Sequence, residues 1–184
     1  MDLSSFDNPM FERGRSRFVE FLWIITSSLF VNSWIPGSSH RVLLLRLFGG
    51  AVGSKVVLKP CIKIKFPWKL SIGDSAWIGE GVWIDNLAHV WIGNNACVSQ
   101  GAYLCTGSHD WSAEKFDLIT QTIEIEDSAW VAAKTTVGPG VTIGEGAVLG
   151  LGSSTSKDLL PWTVYSGAPA KAIKERIIRD SEGT

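Results

Sequence analysis

Three histidines are the only imidazoles among the 184 residues, and His109 has the most suggestive setting. It lies in the run Leu104-Cys105-Thr106-Gly107-Ser108-His109-Asp110-Trp111. A neutral imidazole, whose ordinary pKa is near ~6.5, can take a proton from a hydroxyl at neutral pH and pass it on. Position alone leaves a structural histidine and a general base both open. Asp85 and Asn86 are suited to holding hydroxyl groups, but the same dipeptide is also good turn chemistry. His89 lies 17 residues after Ile72, and His109 lies 17 after Ile92. That spacing predicts His89 one rung below His109, where it would help bind the hydroxyl-bearing molecule or depress the His109 pKa by like-charge repulsion. A solvent-facing corner histidine is the plain alternative for His89.

These residues sit in a six-residue repeat between Val52 and Pro161. Its clearest copies are Ile72–Trp77, Ile78–Trp83, Ile92–Cys97, Val137–Thr142 and Ile143–Val148. An aliphatic residue opens each unit, a small or polar one follows, and a small or β-branched one usually sits fifth. A hexapeptide period means a parallel β-helix: each hexad is a short strand and a corner, and three hexads close one triangular coil. The opening aliphatic points inward, and the glycines serve corners where φ > 0 is needed. Val52, Ile72 and Ile92 are 20 apart, Ile125, Ile143 and Pro161 are 18 apart, and Ile92 to Ile125 is 33. The third coil therefore carries an insertion near 110–122, the one long loop in a rigid repeat and a natural place for function. About five coils span roughly 24 Å at the usual strand spacing.

The remaining chain reads as appendages to one domain. Residues 1–51 are a polar start followed by an apolar helical cap, 52–167 are the β-helix, and 168–184 are a short C-terminal helix and tail. Phe21–Ser39 is free of charge but too short in apolar content for a spanning helix. It reads as a cap over the open strand edges, with Val42–Phe48 in the same cap. The other reading of 21–48 is an apolar patch resting on a membrane, with Arg13, Arg15 and Arg17 suited to anionic lipid. Pro169 suits the first turn of a helix over Ala168–Arg179. Trp77, Trp83, Trp91 and Trp130 each adjoin an inward aliphatic, so they should face outward, and regular exposed tryptophans suggest a subunit interface. A net charge of −1 and a pI near 6.3 argue against a nucleic-acid partner. Three cysteines at no metal-ligand spacing suit thiols in a reducing cytoplasm, and Met1–Arg17 does not read as a signal peptide.

Thr106-Gly107-Ser108-His109-Asp110 resembles the Thr-x-x-His signature of hexapeptide-repeat O-acetyltransferases, which include galactoside and maltose acetyltransferases. Leu44–Gly50, Trp83–Leu87, Ile92–Asp110, Val137–Gly146 and Ser166–Lys171 resemble the colanic acid biosynthesis acetyltransferase family more closely. The resemblance runs from about Phe21 to Arg176. It implies a left-handed coil, a homotrimer with acetyl-CoA and a sugar meeting between subunits, and His109 as general base in direct attack without an acyl-enzyme. Backbone N–H groups would hold the oxyanion. Asp85, Asn86 and His89 are the candidate acceptor-binding residues. Trp130, Ala133, Gly150, Leu151 and Gly152 are placed along the pantetheine arm by resemblance, and Lys157, Lys171 and Lys174 near the CoA phosphates, where ordinary surface charge is the alternative. No metal is implied. The acceptor it implies, a saccharide or lipid-linked precursor of an exopolysaccharide or surface glycan, would put the protein in the cytoplasm or at the inner face of the membrane.

Three other readings remain on this scaffold. A three-histidine metalloenzyme of the γ-carbonic anhydrase kind would need a third ligand in the coils, and His40 lies in the cap. A non-catalytic assembly scaffold would not need the Thr106–Asp110 segment. An acyltransferase with another donor, or with an amine acceptor, would keep every feature above.

Overall fold

The computed structural model describes residues 3–6 and 11–179, so the last part of the expected tail lies outside the described residues. The repeat builds a three-faced parallel β-solenoid. The first face stacks Ala51–Val52, Leu70–Ile72, Val90–Ile92, Ile123–Ile125 and Thr142–Ile143. The second stacks Val57–Leu58, Trp77–Ile78, Cys97–Val98, Trp130–Val131, Val148–Leu149 and Thr163–Gly167. The third stacks Lys63–Ile64, Trp83–Asp85, Tyr103–Cys105, Thr136–Val137 and Ser154–Thr155. That makes five complete coils and the start of a sixth.

The opening residue of each hexad fills the core. Ile72, Ile92, Ile125 and Ile143 form one buried column, and Leu58, Ile78, Val98, Val131 and Leu149 form the next. Ile64, Ile84, Leu104, Val137 and Thr155 complete the triangle. Trp77, Trp83, Trp91 and Trp130 face outward as expected.

Two details of the repeat differ from expectation. Positive φ falls on the fourth residue of the hexad, taken by Ser75, Asn95, Ser128 and Lys134 as well as by Gly81, Gly101 and Gly152. The second-position glycines serve close approach instead: a Cβ on Gly93 would lie 2.6 Å from Asp127 N of the next coil. The sixth coil opens at Leu159, which bridges to Ile143, and not at Pro161. The chain shortens its last turn by two residues, which the 18-residue count could not register.

The corner between the first and second faces carries a polar ladder. Ser54 N donates to Asp74 Oδ1 at 2.6 Å, Asp74 N to Asn94 Oδ1 at 2.9 Å, and Asn94 N to Asp127 Oδ1 at 2.7 Å. The backbone bond from Ser54, helped by its hydroxyl, holds the Asp74 carboxyl below its ordinary value. A lowered folded pKa adds stability that is present above the unfolded value of ~3.9 and is lost as pH falls through the folded value. Thermal unfolding of wild type and Asp74→Asn should therefore differ by a small constant amount above about pH 5 and converge in more acid solution. A gap that persists undiminished into strong acid would contradict the charge as its source.

The ends are closed differently. Helix α1 (Arg17–Thr26) begins at Ser16, whose hydroxyl accepts from Val19 N, and runs into a π-helical turn, Ser27–Val31; helix α2 is Ser39–Leu47. Trp23, Val31 and Leu45 bury against the first coil, and Trp23 Nε1 donates to Ile64 O at 2.9 Å. Buried Arg41 ties the cap together by donating to the carbonyls of Val31, Ser33, Ile35 and Gly37. The expected C-terminal helix is a strand: Ala170–Glu175 pairs antiparallel with Thr163–Gly167 through a turn at the cis Ala168–Pro169 bond. The open edge of the second face takes up the segment, and the new edge is guarded by charge at Lys171, Lys174 and Glu175.

Candidate active site

Every departure from the 18-residue coil falls on one edge of the prism, where the third face turns into the first. The passage from Ile64 to Ile72, and from Ile84 to Ile92, takes eight residues instead of six; from Leu104 to Ile125 it takes 21. Asp85, Asn86, His89 and His109 all lie on this edge. The insertion starts earlier than expected. Gly107–His109 pairs antiparallel with Leu118–Thr120, so residues 107–120 form a hairpin standing off the coil. Thr106 pins its base: buried, it donates from Oγ1 to Asp85 O at 2.9 Å, accepts from Ala88 N at 3.0 Å, and takes Gln121 N on its carbonyl.

His109 ends the first strand of that hairpin. Its Nδ1 lies 2.8 Å from Phe116 O, and its ring stacks on the Phe116 ring with centroids 4.3 Å apart and planes 5° from parallel. The Phe6 ring lies 5.8 Å from it, tilted by 58°. A carbonyl oxygen can only accept, so Nδ1 carries the hydrogen. In the neutral ring Nε2 then keeps its lone pair, the state a general base requires. At the hairpin tip Asp110 accepts from Ser112 N and Ser112 Oγ, bonds that hold its carboxyl below the ordinary range.

The predicted stacking of His89 under His109 does not occur. Val90 pairs with Ile123, which puts Thr122 on the rung next to His89. The count of 17 from Ile92 ran into the hairpin, which leaves the coil path after Thr106. His89 instead bonds Ser71 Oγ through Nε2 at 2.8 Å and lies against Trp91, with centroids 4.1 Å apart. Its pKa is lowered, by burial first and by the Lys69 charge second, not by His109. It lines a hollow of about 400 Å³ with Phe11, Glu12, Lys69, Leu87, Ala88 and Thr120, at the foot of the hairpin. A broader open hollow of about 740 Å³ runs along the first face over Ser71, Trp91 and Glu124, without His109. Its lining holds no histidine or cysteine.

Asp85 and Asn86 part company. Asn86 is fully buried; its Oδ1 accepts from Phe66 N at 3.0 Å and its Nδ2 donates to Phe66 O and Lys69 O. Its side chain holds the preceding corner and has nothing left for an acceptor. Asp85 faces outward on the third face, with Oδ1 3.1 Å from Lys65 Nζ and Oδ2 accepting from Tyr103 OH at 3.3 Å. Oδ1 is buried and makes no well-aligned hydrogen bond. Burial, with Cys105 and Asp85 nearby, pushes the Tyr103 phenol well above its usual value, so it stays a hydrogen-bond donor. Lys65 stands 20 residues before Asp85, the spacing of the early coils, so the pair was legible in the sequence and was missed.

Proteins of similar sequence and fold are known. The chain is 41% identical over 179 residues to the putative colanic acid biosynthesis acetyltransferase WcaF of Escherichia coli K12, covering 96% of this chain and 97% of that protein. The chain belongs to this family of hexapeptide-repeat acetyltransferases. It is also 27% identical to the galactoside O-acetyltransferase of Escherichia coli, over 76% of this chain and 70% of that one. A hexapeptide-repeat acetyltransferase of Vibrio cholerae, solved with acetyl coenzyme A, superposes with a TM-score of 0.79 at 26% identity, covering 90% and 92% of the two chains. No protein-family model matches the chain.

In this acetyltransferase the residues expected along the donor fall into separate groups. Ala133 and Gly150–Gly152 lie one above the other at the corner between the second and third faces, where Gly152 N donates to Ala133 O. Trp130 is on the second face, its Nε1 bonded to Ser99 Oγ. It borders a groove of about 480 Å³ with Val148, Val164, Lys174, Arg176 and Arg179. Lys171 sits on the C-terminal hairpin opposite Ser166, and Lys157 follows the third face, on the His109 edge. Arg176 also fastens the C-terminal segment to the coil, donating to Ser128 O at 2.8 Å and Gly146 O at 2.9 Å. Phe116 left no sequence signal as the partner of His109. Among the described residues, no cluster of three His, Cys, Asp or Glu side chains is placed to hold a metal ion.

Proposed function

We propose that the protein transfers acetyl from acetyl-CoA to a sugar hydroxyl, in the assembly of an exopolysaccharide or surface glycan, with His109 as general base. The observation that carries this reading is the Nδ1–H···O=C bond from His109 to Phe116, which frees Nε2 as acceptor. Nε2 takes the hydroxyl proton as the oxygen attacks the thioester carbonyl. The tetrahedral oxyanion collapses, the C–S bond breaks, and the CoA thiolate recovers the proton from the imidazolium as free thiol. Atoms balance without an acyl-enzyme, so Cys61, Cys97 and Cys105 need no nucleophilic part. The hollow around Lys69 and His89 and the carboxylate of Asp85 are the proposed acceptor contacts.

The donor and the base meet between copies in this reading. His109 stands on the edge between the third and first faces, whereas Ala133 and Gly150 stand on the edge between the second and third, with a full face between them. A face-packed homotrimer would bring the His109 edge of one copy to the Ala133–Gly150 edge of its neighbour. The outward column of the second face, Val57, Trp77, Cys97, Trp130, Val148 and Val164, is apolar on six successive rungs and suits such packing.

Thermal unfolding with rising acetyl-CoA tests donor binding, and a screen of sugars for CoA release tests transfer. The melting temperature should climb with dose through linkage. No rise at millimolar donor, or CoA release without an acetylated sugar, would count against the reading.

A further inference from the structure

The cap presents its apolar side to solvent. On α1 and the turn after it, Phe18, Phe21, Leu22, Ile25 and Leu29 follow helical spacing along one stripe, and Phe18, Phe21 and Leu29 are 68%, 57% and 58% exposed. The opposite side is already occupied, with Trp23 of α1 and Val31 of the turn after it buried against the first coil. Leu43 and Leu47 extend the patch on α2, and Trp34 and Ile35 stand exposed in the loop between. Leu22 and Leu47 line one groove of about 330 Å³ with Val19, Phe48 and Arg15, so the two helices contribute to a single surface. A contiguous apolar surface of this extent is covered by something when the protein works.

We propose that this cap docks on an anionic phospholipid bilayer. The charge pattern favours lipid over a protein partner. Arg15 and Arg17 stand just ahead of the stripe and carry the charge that would meet lipid; Arg13 is paired with Glu20 at 2.8 Å, Arg46 is bonded to the carbonyls of Val52 and Gly53, and from Glu12 to Leu47 the acidic residues are Glu12 and Glu20. The stripe itself offers no hydrogen-bonding group, so it suits an acyl region, while arginines at its margin reach phosphate oxygens. No described helix is long and apolar enough to cross a membrane, so contact is peripheral. Docking here holds the enzyme where a lipid-linked saccharide would present its hydroxyls, and the inference stands apart from the acetyl-transfer reading because binding is measured without catalysis.

The test is flotation of the full chain with vesicles of phosphatidylcholine alone and of phosphatidylcholine with phosphatidylglycerol, at low and high salt. Wild type should float with the anionic vesicles, less so at high salt. Phe21→Asp with Ile25→Asp should lower the apparent affinity about tenfold or more, at unchanged melting temperature because both residues are exposed. Arg15→Gln with Arg17→Gln should erase the preference for anionic over neutral vesicles. Wild type that stays with neither vesicle overturns the proposal, as does equal flotation of the aspartate variant. A lipid-free assembly that shrinks in the aspartate variant also overturns it, and assigns the surface to a second copy.

Discussion

His109→Ala is expected to lower kcat by about 10²- to 10⁴-fold, the usual contribution of a positioned general base, and to leave acetyl-CoA binding unchanged. The geometry separates the two effects. The His109 ring is fixed by a backbone carbonyl and a stacked phenylalanine within its own hairpin, while the proposed donor residues sit on another edge of the prism. Truncation removes the base without reshaping a core column, because the hairpin stands off the coil and its foot is pinned by Thr106. The rise in melting temperature with acetyl-CoA should therefore match wild type while CoA release with an accepted sugar falls. A loss of only a few-fold would remove His109 from the proton path. A lost thermal shift would assign it to donor binding. The carbonyl of Phe116 survives any side-chain substitution there, so Phe116→Leu should retain much more activity than His109→Ala, losing the stacking but not the hydrogen bond.

What could be read in advance follows from how local each signal is. Inward columns such as Ile72–Ile92–Ile125–Ile143 were fixed by period alone, because each rung repeats the same pleat and corner. The insertion was visible as a gap of 33 residues, but not its hairpin, since Gly107–His109 and Leu118–Thr120 carry no alternation of their own. The error over His89 has the same root: residue counting holds only while the chain stays on the coil. The segment Ala170–Glu175 has the composition of a helix, and the unpaired edge of Thr163–Gly167 overrides it by offering a backbone ladder. Asp85 and Asn86 were taken together as neighbours, yet the pleat sends the Asp85 side chain out, and the wider corner that follows turns Asn86 in.

Asn86→Ala is accordingly expected to cost stability more than chemistry, by about 2–4 kcal/mol, because it strands buried backbone groups that water cannot reach. Phe66 N loses its acceptor, and Lys69 O loses a donor; Phe66 O keeps only the bond from Lys69 N. For a chain of this length the melting temperature should drop by roughly 4–16 °C. The corner that Asn86 holds includes Lys69, whose ammonium donates to Leu87 O and lines the hollow with His89, so part of any activity loss at high temperature will be loss of fold. Below the lowered transition, the folded fraction should keep its donor affinity. Asp85→Asn makes the opposite case: it is nearly isosteric, its neighbours Lys65 and Tyr103 remain, and a rise in acceptor KM at near-normal melting temperature is the expected outcome. If Asn86→Ala melts normally and loses only acceptor affinity, the assignment of the two neighbours is reversed, and the buried bonds to Phe66 and Lys69 must be replaceable by local rearrangement of the corner.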